Sequence, residues 1–302
     1  MPVARGPSLP RPRRSRAARC RLLALALLVS LAPATARSDQ PTTTTPGASE
    51  PITPREQAIL LFKSVAKASI AGVQTSIAHG VDVNFREPQT GATPIMLAAA
   101  VGDTMIISDL IAAGADVNLH ALNGMTALHA AAYKNQRDAA VELLNHGADA
   151  TARDTTAMGA AEYARLGKSS ACIALFEEID RVAEFSARGQ GDSLRALIAR
   201  GIPVGVPSST RVVPLHAAAG NGHADVVRDL LAAGARVDQP DSSGVTALHQ
   251  AARHGQGAVV KLLLAAGADR AHKSAAGFTA LDAAKQANHP EVVLLLQRAP
   301  AK

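Results

Sequence analysis

Three histidines could bind a metal ion or act as general bases. His216 and His249 are 33 residues apart, His129 lies 120 residues before His249, and each of the three follows a leucine. Imidazole is a common zinc ligand and a common general base. Matched positions at a fixed interval indicate, however, that each histidine belongs to a different copy of one repeated unit.

Neighbouring copies of a helical unit pack roughly 10 Å apart. The nitrogen ligands of zinc lie about 2.0–2.1 Å from the metal, so a single imidazole in each copy cannot assemble a zinc site. We therefore predict structural roles for His129, His216 and His249, and we expect neither a metal site nor a cofactor.

The other motifs give no stronger indication of catalysis. The Leu-Gly-Lys-Ser of residues 166–169 resembles the end of a P-loop, but that motif also needs a preceding strand and a glycine where Glu162 stands. Asp116, Asp149 and Asp269 each follow Gly-Ala in loops, where we expect their carboxylates to bond local backbone. We predict no catalytic residue and no enzymatic activity.

Cys172 lies in the apolar stretch of residues 171–176. A redox-sensing cysteine needs exposure and a lowered pKa, so we expect a buried, unreactive thiol instead. The second cysteine, Cys20, lies in the N-terminal segment described next. If that segment is removed, no intramolecular disulfide can form.

The first 36 residues predict a secretory signal peptide. Seven arginines and no acidic residue precede residue 37, residues 22–31 are apolar, and Ala34-Thr35-Ala36 supplies an Ala-x-Ala site. We predict cleavage after Ala36. The alternative is an uncleaved anchor, although a spanning helix needs about 20 apolar residues. The Ala, Arg and Leu bias is typical of a bacterial gene, so we expect a periplasmic product with no membrane span after cleavage.

The net charge of +6 is concentrated in that segment. Without its seven arginines, 31 − 7 = 24 basic residues face 25 acidic residues, a net charge of −1. Such a chain has no general attraction for nucleic acid or anionic membranes, and we expect neither as a partner. Residues 37–54 are rich in Thr and Pro, which predicts a flexible linker.

A period of 33 residues runs through the remainder of the chain. Thr93, Thr126, Thr246 and Thr279 each precede an apolar helical segment, with Val213 in the equivalent place, and 126 − 93 and 279 − 246 are both 33. Threonine caps helix N-termini through its hydroxyl, which we expect at Thr126. Helix ends that need a positive φ are predicted at Gly102, Gly222 and Gly255, with Asn135 in the same role.

The Thr-Ala-Leu-His of residues 126–129 and 246–249, at this period, resembles the ankyrin repeat family. The resemblance covers about residues 58–298 and implies an all-α solenoid of about eight helix-turn-helix repeats with loop fingers along one edge. In that family the repeated histidine links loop backbone groups of neighbouring repeats. Within a domain of residues 55–299, the expected repeats are residues 55–85, 86–120, 121–153, 154–179, 180–206, 207–238, 239–270 and 271–299.

The two halves of the array predict a duplicated four-repeat unit, because residues such as Thr126 and Thr246 differ by 120. Repeat four is degenerate, with Thr156-Ala157-Met158 at its opening and Gly159 at the histidine position. The junction near residues 178–181 lacks a projecting loop, so the array can bend there. We expect one continuous superhelix in preference to two independent domains.

The resemblance implies protein–protein binding through finger tips and the ends of first helices. Tyrosine is favoured at binding hot spots, which draws attention to Tyr133 beside Lys134, although simple surface placement is the alternative. Repeats three and seven are favoured. The candidate partner-binding residues are Leu122, Asn123, Met125, Tyr133, Lys134, Asn221, Ser242, Ser243, Val245, Arg253, His254, Ala276, Phe278 and Gln286.

We expect a monomer that binds or protects an exported protein in the periplasm. The alternative is an immunity-type inhibitor of a toxin or hydrolase that acts in that compartment. An enzyme is the third class of hypothesis, and the lack of a catalytic constellation argues against it.

Overall fold

The computed structural model describes residues 53–298, which form fifteen α-helices and no β-strand. The all-α class predicted from the sequence is confirmed. The predicted signal peptide, its cleavage site and nearly all of the predicted linker lie outside the described residues. No described helix has both the length and the apolar character needed to cross a bilayer.

Most helices are short and occur in pairs, whereas α1 has 13 residues and α8 has 19. The helices are α1 (Pro54–Ala66), α2 (Ile70–Ala78), α3 (Pro94–Val101), α4 (Thr104–Ala112), α5 (Ala127–Tyr133), α6 (Arg137–Asn145), α7 (Ala160–Leu166), α8 (Ser170–Arg188), α9 (Gly191–Ala199), α10 (Pro214–Gly220), α11 (Ala224–Ala232), α12 (Ala247–Arg253), α13 (Gly257–Ala265), α14 (Ala280–Gln286) and α15 (Pro290–Arg298).

The helices stack in two columns. First helices pack on first helices, in the order α1, α3, α5 and α7 and then α8, α10, α12 and α14. The second helices also pack on one another in chain order. The second column runs α2, α4, α6, α8, α9, α11, α13 and α15, so α8 belongs to both columns. Alanines such as Ala131 and Ala218 are fully buried in the first column, where small side chains let helices approach closely. One cluster of buried apolar residues runs from Ala58 to Leu296.

The turn after each first helix confirms the predicted backbone geometry. Gly102, Gly222 and Gly255 have φ of 90°, 78° and 69°, and Asn135 has φ of 60°. The N-cap side chain of the second helix then donates to a carbonyl at the end of the preceding repeat's first helix. The donors are Gln136 to Val101, Ser169 to Tyr133, His223 to Ala187, Gln256 to Gly220 and His289 to Arg253.

The loop fingers are joined to one another by backbone hydrogen bonds. The N–H groups of Leu122, Thr155 and Ala275 donate to carbonyls of the preceding finger, at N···O distances of 2.9, 3.0 and 2.9 Å. At the base of the fingers, Asn118 donates from Nδ2 to the Gly147 carbonyl at 3.0 Å. Side-chain and backbone bonds thus connect each repeat to the next.

The loop aspartates have the local role predicted from the sequence. Asp116, Asp149 and Asp269 each accept from the backbone N–H two residues later, at 2.8, 2.8 and 2.9 Å. Their carboxylates therefore shape the finger backbone, as side chains in Asx turns do.

The first helix of repeat four begins three residues later than the opening at Thr156 predicted from the sequence. Helix α7 starts at Ala160 with Gly159 as its N-cap, and 159 − 126 is the period of 33. Gly159 therefore occupies the threonine position, and Glu162 stands where histidine was expected. The prediction failed because glycine carries no capping side chain, while Thr156 offered a false opening; its hydroxyl bonds Asp154 at 2.7 Å within the finger.

The junction of the two halves lies within α8. This helix is continuous across the predicted boundary, so its first half is the second helix of repeat four and its second half the first helix of repeat five. Glu178 is buried at the middle of α8. Its carboxylate bonds Arg200 beyond α9 and lies 3.7 Å from Arg137 of α6, so it joins repeats on both sides of the junction.

A continuous helix leaves no finger between repeats four and five. The backbone N–H of the next finger, residues 200–213, nevertheless finds a hydrogen-bond acceptor, because Asp180 of α8 takes the place of the missing loop. The Asp180 carboxylate accepts from the Ser209 backbone N–H at 2.7 Å and from its hydroxyl at 2.8 Å. A side chain thus replaces the carbonyl that a neighbouring finger supplies elsewhere.

We predict that Asp180→Ala loosens this finger without unfolding the array. Hydrogen bonds to charged acceptors contribute about 1.5–3 kcal/mol, so amide hydrogen exchange at Ser209 should accelerate by roughly tenfold or more. Asp192→Ala on α9 removes the same charge from an exposed site and should leave that exchange unchanged. Equal exchange in Asp180→Ala and the wild type would show that the carboxylate does not hold the finger.

Candidate functional site

The repeated histidines connect each first helix to the following finger. In His129, Nδ1 accepts from the Thr126 backbone N–H at 3.2 Å and from its hydroxyl at 2.8 Å, and Nε2 donates to the Met158 carbonyl at 3.2 Å. His249 makes the same set of bonds with Thr246 and with the Phe278 carbonyl. The linking role implied by the family resemblance is confirmed.

Two details add to the expected pattern. The Thr126 hydroxyl also donates to imidazole at 2.8 Å, so Thr126 and His129 form a capping box at the start of α5. His216, which follows Val213 in the capping position, has no threonine partner and bonds the Gln239 carbonyl at 2.8 Å through Nε2. Residue type at the cap therefore decides which bonds the imidazole can make.

Burial keeps these imidazoles neutral. Desolvation lowers the pKa of His129, His216 and His249 below the ordinary value, and the bonds to backbone carbonyls offset only part of that effect. In the part of the chain that the structure describes, no three His, Cys, Asp or Glu side chains form a group that could hold a metal ion.

Other residue types at the histidine position change the local hydrogen bonding. Asp282 accepts from the Thr279 N–H and hydroxyl at 3.0 and 2.6 Å, so a carboxylate replaces imidazole in repeat eight. In repeat two the position holds Met96, which cannot accept in this way. The Thr93 hydroxyl is accordingly buried without a hydrogen-bond partner among residues 53–298.

The chain's two tyrosines lie together in repeats three and four. Tyr163 is buried and donates from its hydroxyl to Asp154 at 2.8 Å. Its ring contacts His129 and Tyr133 edge-on, with centroid distances of 5.2 and 6.5 Å. Tyr133 is half-buried, and the Lys134 ammonium lies 5.9 Å from its ring centroid. Tyr133 is therefore part of an internal cluster as well as a surface residue.

This cluster fills the groove between first helices and fingers in the N-terminal half. Tyr163 and Tyr133 pack over Met125 and Met158. Met125 is only 2% exposed, so it does not belong to an accessible partner-binding surface. The family resemblance placed Met125 there as a finger residue, and nothing in the local sequence indicates that Tyr163 from the next repeat covers it.

The same groove is open in repeats six to eight. Four residues after the N-cap, where repeat four has Tyr163, these repeats have Ala217, Gln250 and Ala283. Nothing equivalent to the tyrosine cluster fills the space. We call the resulting surface the open groove; its main lining residues are Arg211, Val212, Asn221, Asp241, Val245, Gln250, Arg253, His254, Phe278 and Gln286.

Exposure along one column of finger residues shows the difference between the halves. The residues before the N-caps of repeats two and three, Ala92 and Met125, are 5% and 2% exposed, and Met158 of repeat four is half-buried. The equivalent Val212 and Phe278 of the open groove are 39% and 43% exposed, with Val245 half-buried between them. Within this column, the most exposed apolar side chains are therefore those of the open groove.

The open groove has a basic character. Arg211 and Arg253 are exposed, and neither takes part in an ion pair within residues 53–298. The carboxylate among its main lining residues, Asp241, accepts from the backbone N–H groups of Ser243 and Val245. These bonds disperse part of its charge, which leaves the guanidinium groups available to a partner.

The structure separates the remaining candidates into two groups. Six of the fourteen lie in the open groove: Asn221, Val245, Arg253, His254, Phe278 and Gln286. The rest are finger or helix-end residues outside the lining: Leu122, Asn123, Tyr133, Lys134, Ser242, Ser243 and Ala276, of which Asn123 and Tyr133 are half-buried and the others exposed.

Arg211, Val212 and Gln250 line the groove and were missed by the sequence analysis. The period contained the signal, since 245 − 212 is 33. The register was recognised through Val213, but the finger residues before it were not carried into the candidate surface.

Cys172 and residues 166–169, the two remaining candidates for chemistry, have structural roles. Cys172 is buried as predicted, and burial raises the pKa of its thiol to about 11, so the thiolate is disfavoured. Residues 166–169 form the turn between α7 and α8, where the Ser169 hydroxyl donates to the Tyr133 carbonyl at 2.8 Å. A helix precedes this turn, where a P-loop has a strand.

Comparison with known proteins agrees with this architecture. A family profile described as "Ankyrin repeats (3 copies)" matches residues 61–154, 182–274 and 215–301. The chain is 41% identical over 78 residues to SH3 and multiple ankyrin repeat domains protein 2 of Homo sapiens, covering 26% of this chain and 4% of that protein. It is 42% identical over 91 residues to the Neurogenic locus Notch protein of Drosophila melanogaster, covering 25% and 3%.

The chain therefore spans only a small part of the length of these curated relatives. Among solved structures, the human ASB11 ankyrin repeat domain matches with a TM-score of 0.37 and 28% identity, covering 70% of this chain and 100% of that one.

The neutral histidines predict a pH dependence of stability. Their pKa values are lower in the folded than in the unfolded chain, so the unfolded chain binds more protons as pH falls. The free energy of unfolding should be highest above about pH 6.5, the ordinary histidine value, and should decrease as pH falls from there. Urea denaturation from pH 7.5 to 5.5 measures this, and His249→Gln should flatten the curve. A free energy that stays constant or increases on acidification contradicts the assignment.

The orphaned hydroxyl of repeat two predicts opposite results for two identical substitutions. Thr93→Val removes an unpaired buried hydroxyl and should be neutral or stabilising, because no hydrogen bond is lost. Thr126→Val removes the hydroxyl that bonds His129 and should cost about 1 kcal/mol. Urea denaturation of both variants gives the comparison. Equal destabilisation by the two substitutions would mean that Thr93 has a partner.

Proposed function

The chain belongs to the ankyrin repeat family, and we propose that it is a non-catalytic binding module that is exported to the periplasm, where it binds or protects an exported protein. Ankyrin repeats are protein–protein interaction modules. The location and the protective role are the specific parts of the proposal.

The observation that carries the proposal is the open groove. Contiguous exposed apolar surface marks interaction sites, and Val212, Val245 and Phe278 form one row of apolar side chains along this groove, the first and last of them exposed. Arg211 and Arg253 add directional groups of the type enriched in interfaces. We therefore assign the main contact surface to repeats six to eight, in place of the equal weight first given to repeat three.

Export is supported by the N-terminal sequence. Its arginines, its apolar run and the Ala-x-Ala site ending at Ala36 have the order of a secretory signal peptide. We propose that the chain begins at Arg37 after cleavage and that residues 37–52 tether the array. After this cleavage Cys172 would be the remaining cysteine, so the mature chain would form no intramolecular disulfide.

The absence of catalysis is proposed from the way the candidate groups are used. The repeated histidines, the loop aspartates and the buried cysteine all serve packing or backbone bonding. Groups that act as bases or nucleophiles need free access to a substrate in a cleft. The side chains lining the open groove suit recognition better than bond cleavage, because arginine, amide and apolar groups predominate there.

We predict that four substitutions in the open groove abolish partner capture. A tagged full-length chain is expressed in its native host, with the variant Arg211→Gln, Arg253→Gln, His254→Gln and Phe278→Ser beside the wild type. Wild type should be recovered from the periplasmic fraction, starting at Arg37, with a bound protein. The variant should lose that protein at an unchanged melting temperature.

The matched control removes two exposed positive charges from second helices, with Arg228→Gln and Lys261→Gln, and should retain capture. A self-encoded exported enzyme as partner supports the scaffold role, whereas an antibacterial toxin supports the immunity-type inhibitor. Capture that survives the groove substitutions would place binding on another face.

A further inference from the structure

The open groove contains two chemically different features in a fixed order. Exposed apolar residues stand at its ends, Val212 before α10 and Phe278 before α14, with the half-buried Val245 between them. Cationic side chains accompany them, Arg211 on the first finger and Arg253 at the end of α12. This arrangement restricts the chemistry of the segment that can lie along the groove.

The spacing sets the length of that segment. Val212 and Phe278 are two repeats apart, and packed helices are separated by roughly 10 Å, so the two side chains lie roughly 20 Å apart. An extended strand rises about 3.3 Å per residue and points alternate side chains to one face. Residues i and i+6 of a strand therefore span the distance, and residues i+2 and i+4 face the same side.

The charged residues of the groove indicate which side chains the middle of the bound segment should carry. Arg211 and Arg253 have no ion-pair partner among the described residues, and residues 180–298 carry 13 basic against 10 acidic side chains, 13 − 10 = +3. Residues 53–179 carry 9 against 13, 9 − 13 = −4. The half of the array that holds the open groove is the half that attracts an acidic partner, and such complementarity steers association and selects partners.

We propose that the open groove binds an extended acidic segment of a partner protein, with apolar residues at positions i and i+6 and carboxylates at i+2 and i+4. The apolar residues cover Val212 and Phe278, and the carboxylates pair with Arg211 and Arg253. This inference rests on the proposed function and adds the partner's chemistry. Single-stranded nucleic acid is a poorer match, because its bases stack on aromatic side chains and Phe278 is the one Phe, Tyr or Trp among the residues lining the groove.

The test uses a defined peptide and the full mature chain. The probe is a fluorescein-labelled peptide with the sequence Ser-Leu-Thr-Glu-Thr-Glu-Thr-Leu-Ser, and binding is followed by fluorescence anisotropy at low salt. It should bind about tenfold or more tightly than the same peptide with lysines for glutamates, and its affinity should fall as salt is added. Moving the glutamates to the neighbouring positions i+1 and i+5 turns them to the opposite face and should weaken binding at equal composition.

Matched variants assign the contacts. Arg211→Gln with Arg253→Gln should reduce affinity to the level of the lysine peptide and remove the salt dependence. Arg228→Gln with Lys261→Gln makes the same change in net charge on α11 and α13, outside the groove. This control should keep the wild-type affinity for the acidic peptide and its salt dependence. Phe278→Ser should weaken the acidic and the lysine peptide by the same factor.

The outcomes separate this inference from the proposed function. Equal affinity for the acidic and lysine peptides, or no binding of either, overturns the acidic segment. The binding role itself stands in that case if the groove variant still loses its partner in the capture experiment. Tighter binding of an oligothymidine of twelve nucleotides, or a dimer of the chain in sedimentation that the groove substitutions dissolve, also overturns it.

Discussion

Each repeat of this protein depends on its neighbours, because two short helices cannot bury their apolar faces by themselves. Burial alone would leave the loop backbone unsatisfied, and specific hydrogen bonds prevent that. Imidazoles such as His129 join a helix start to the next finger, and side chains such as Gln136 join a helix start to the preceding repeat's carbonyls. The array is therefore a chain of nearest-neighbour links as well as a continuous apolar core.

The junction inside α8 shows that the links are adaptable. A 19-residue helix removes one turn and one finger from the regular pattern. Glu178 and Asp180 replace the missing connections by bonding Arg200 and Ser209 on the following repeat. Two carboxylates on one helix thus carry the stack across a place where the repeat itself is interrupted.

The two halves differ in how they use the same groove. In repeats three and four Tyr133 and Tyr163 pack over the finger residues, so Met125 is buried and Met158 half-buried. In repeats six to eight small and amide side chains leave it open, with exposed Phe278 and with Arg211 and Arg253 free of ion pairs to other residues of the 53–298 range. Equivalent surfaces of one array are in this way covered by tyrosines in repeats three and four and exposed in repeats six to eight.

The period of 33 determined the helix pairs, the positive-φ turns and the structural role of His129, because these follow from local backbone needs that recur in every repeat. The family resemblance then brought Phe278 and Arg253 into the candidate surface. Only the tertiary structure decided that Gly159 opens repeat four, that α8 runs through the junction, and that Met125 is covered while Val212 is not. Those outcomes depend on side chains from neighbouring repeats, and contacts between residues some thirty positions apart leave no mark on the local pattern.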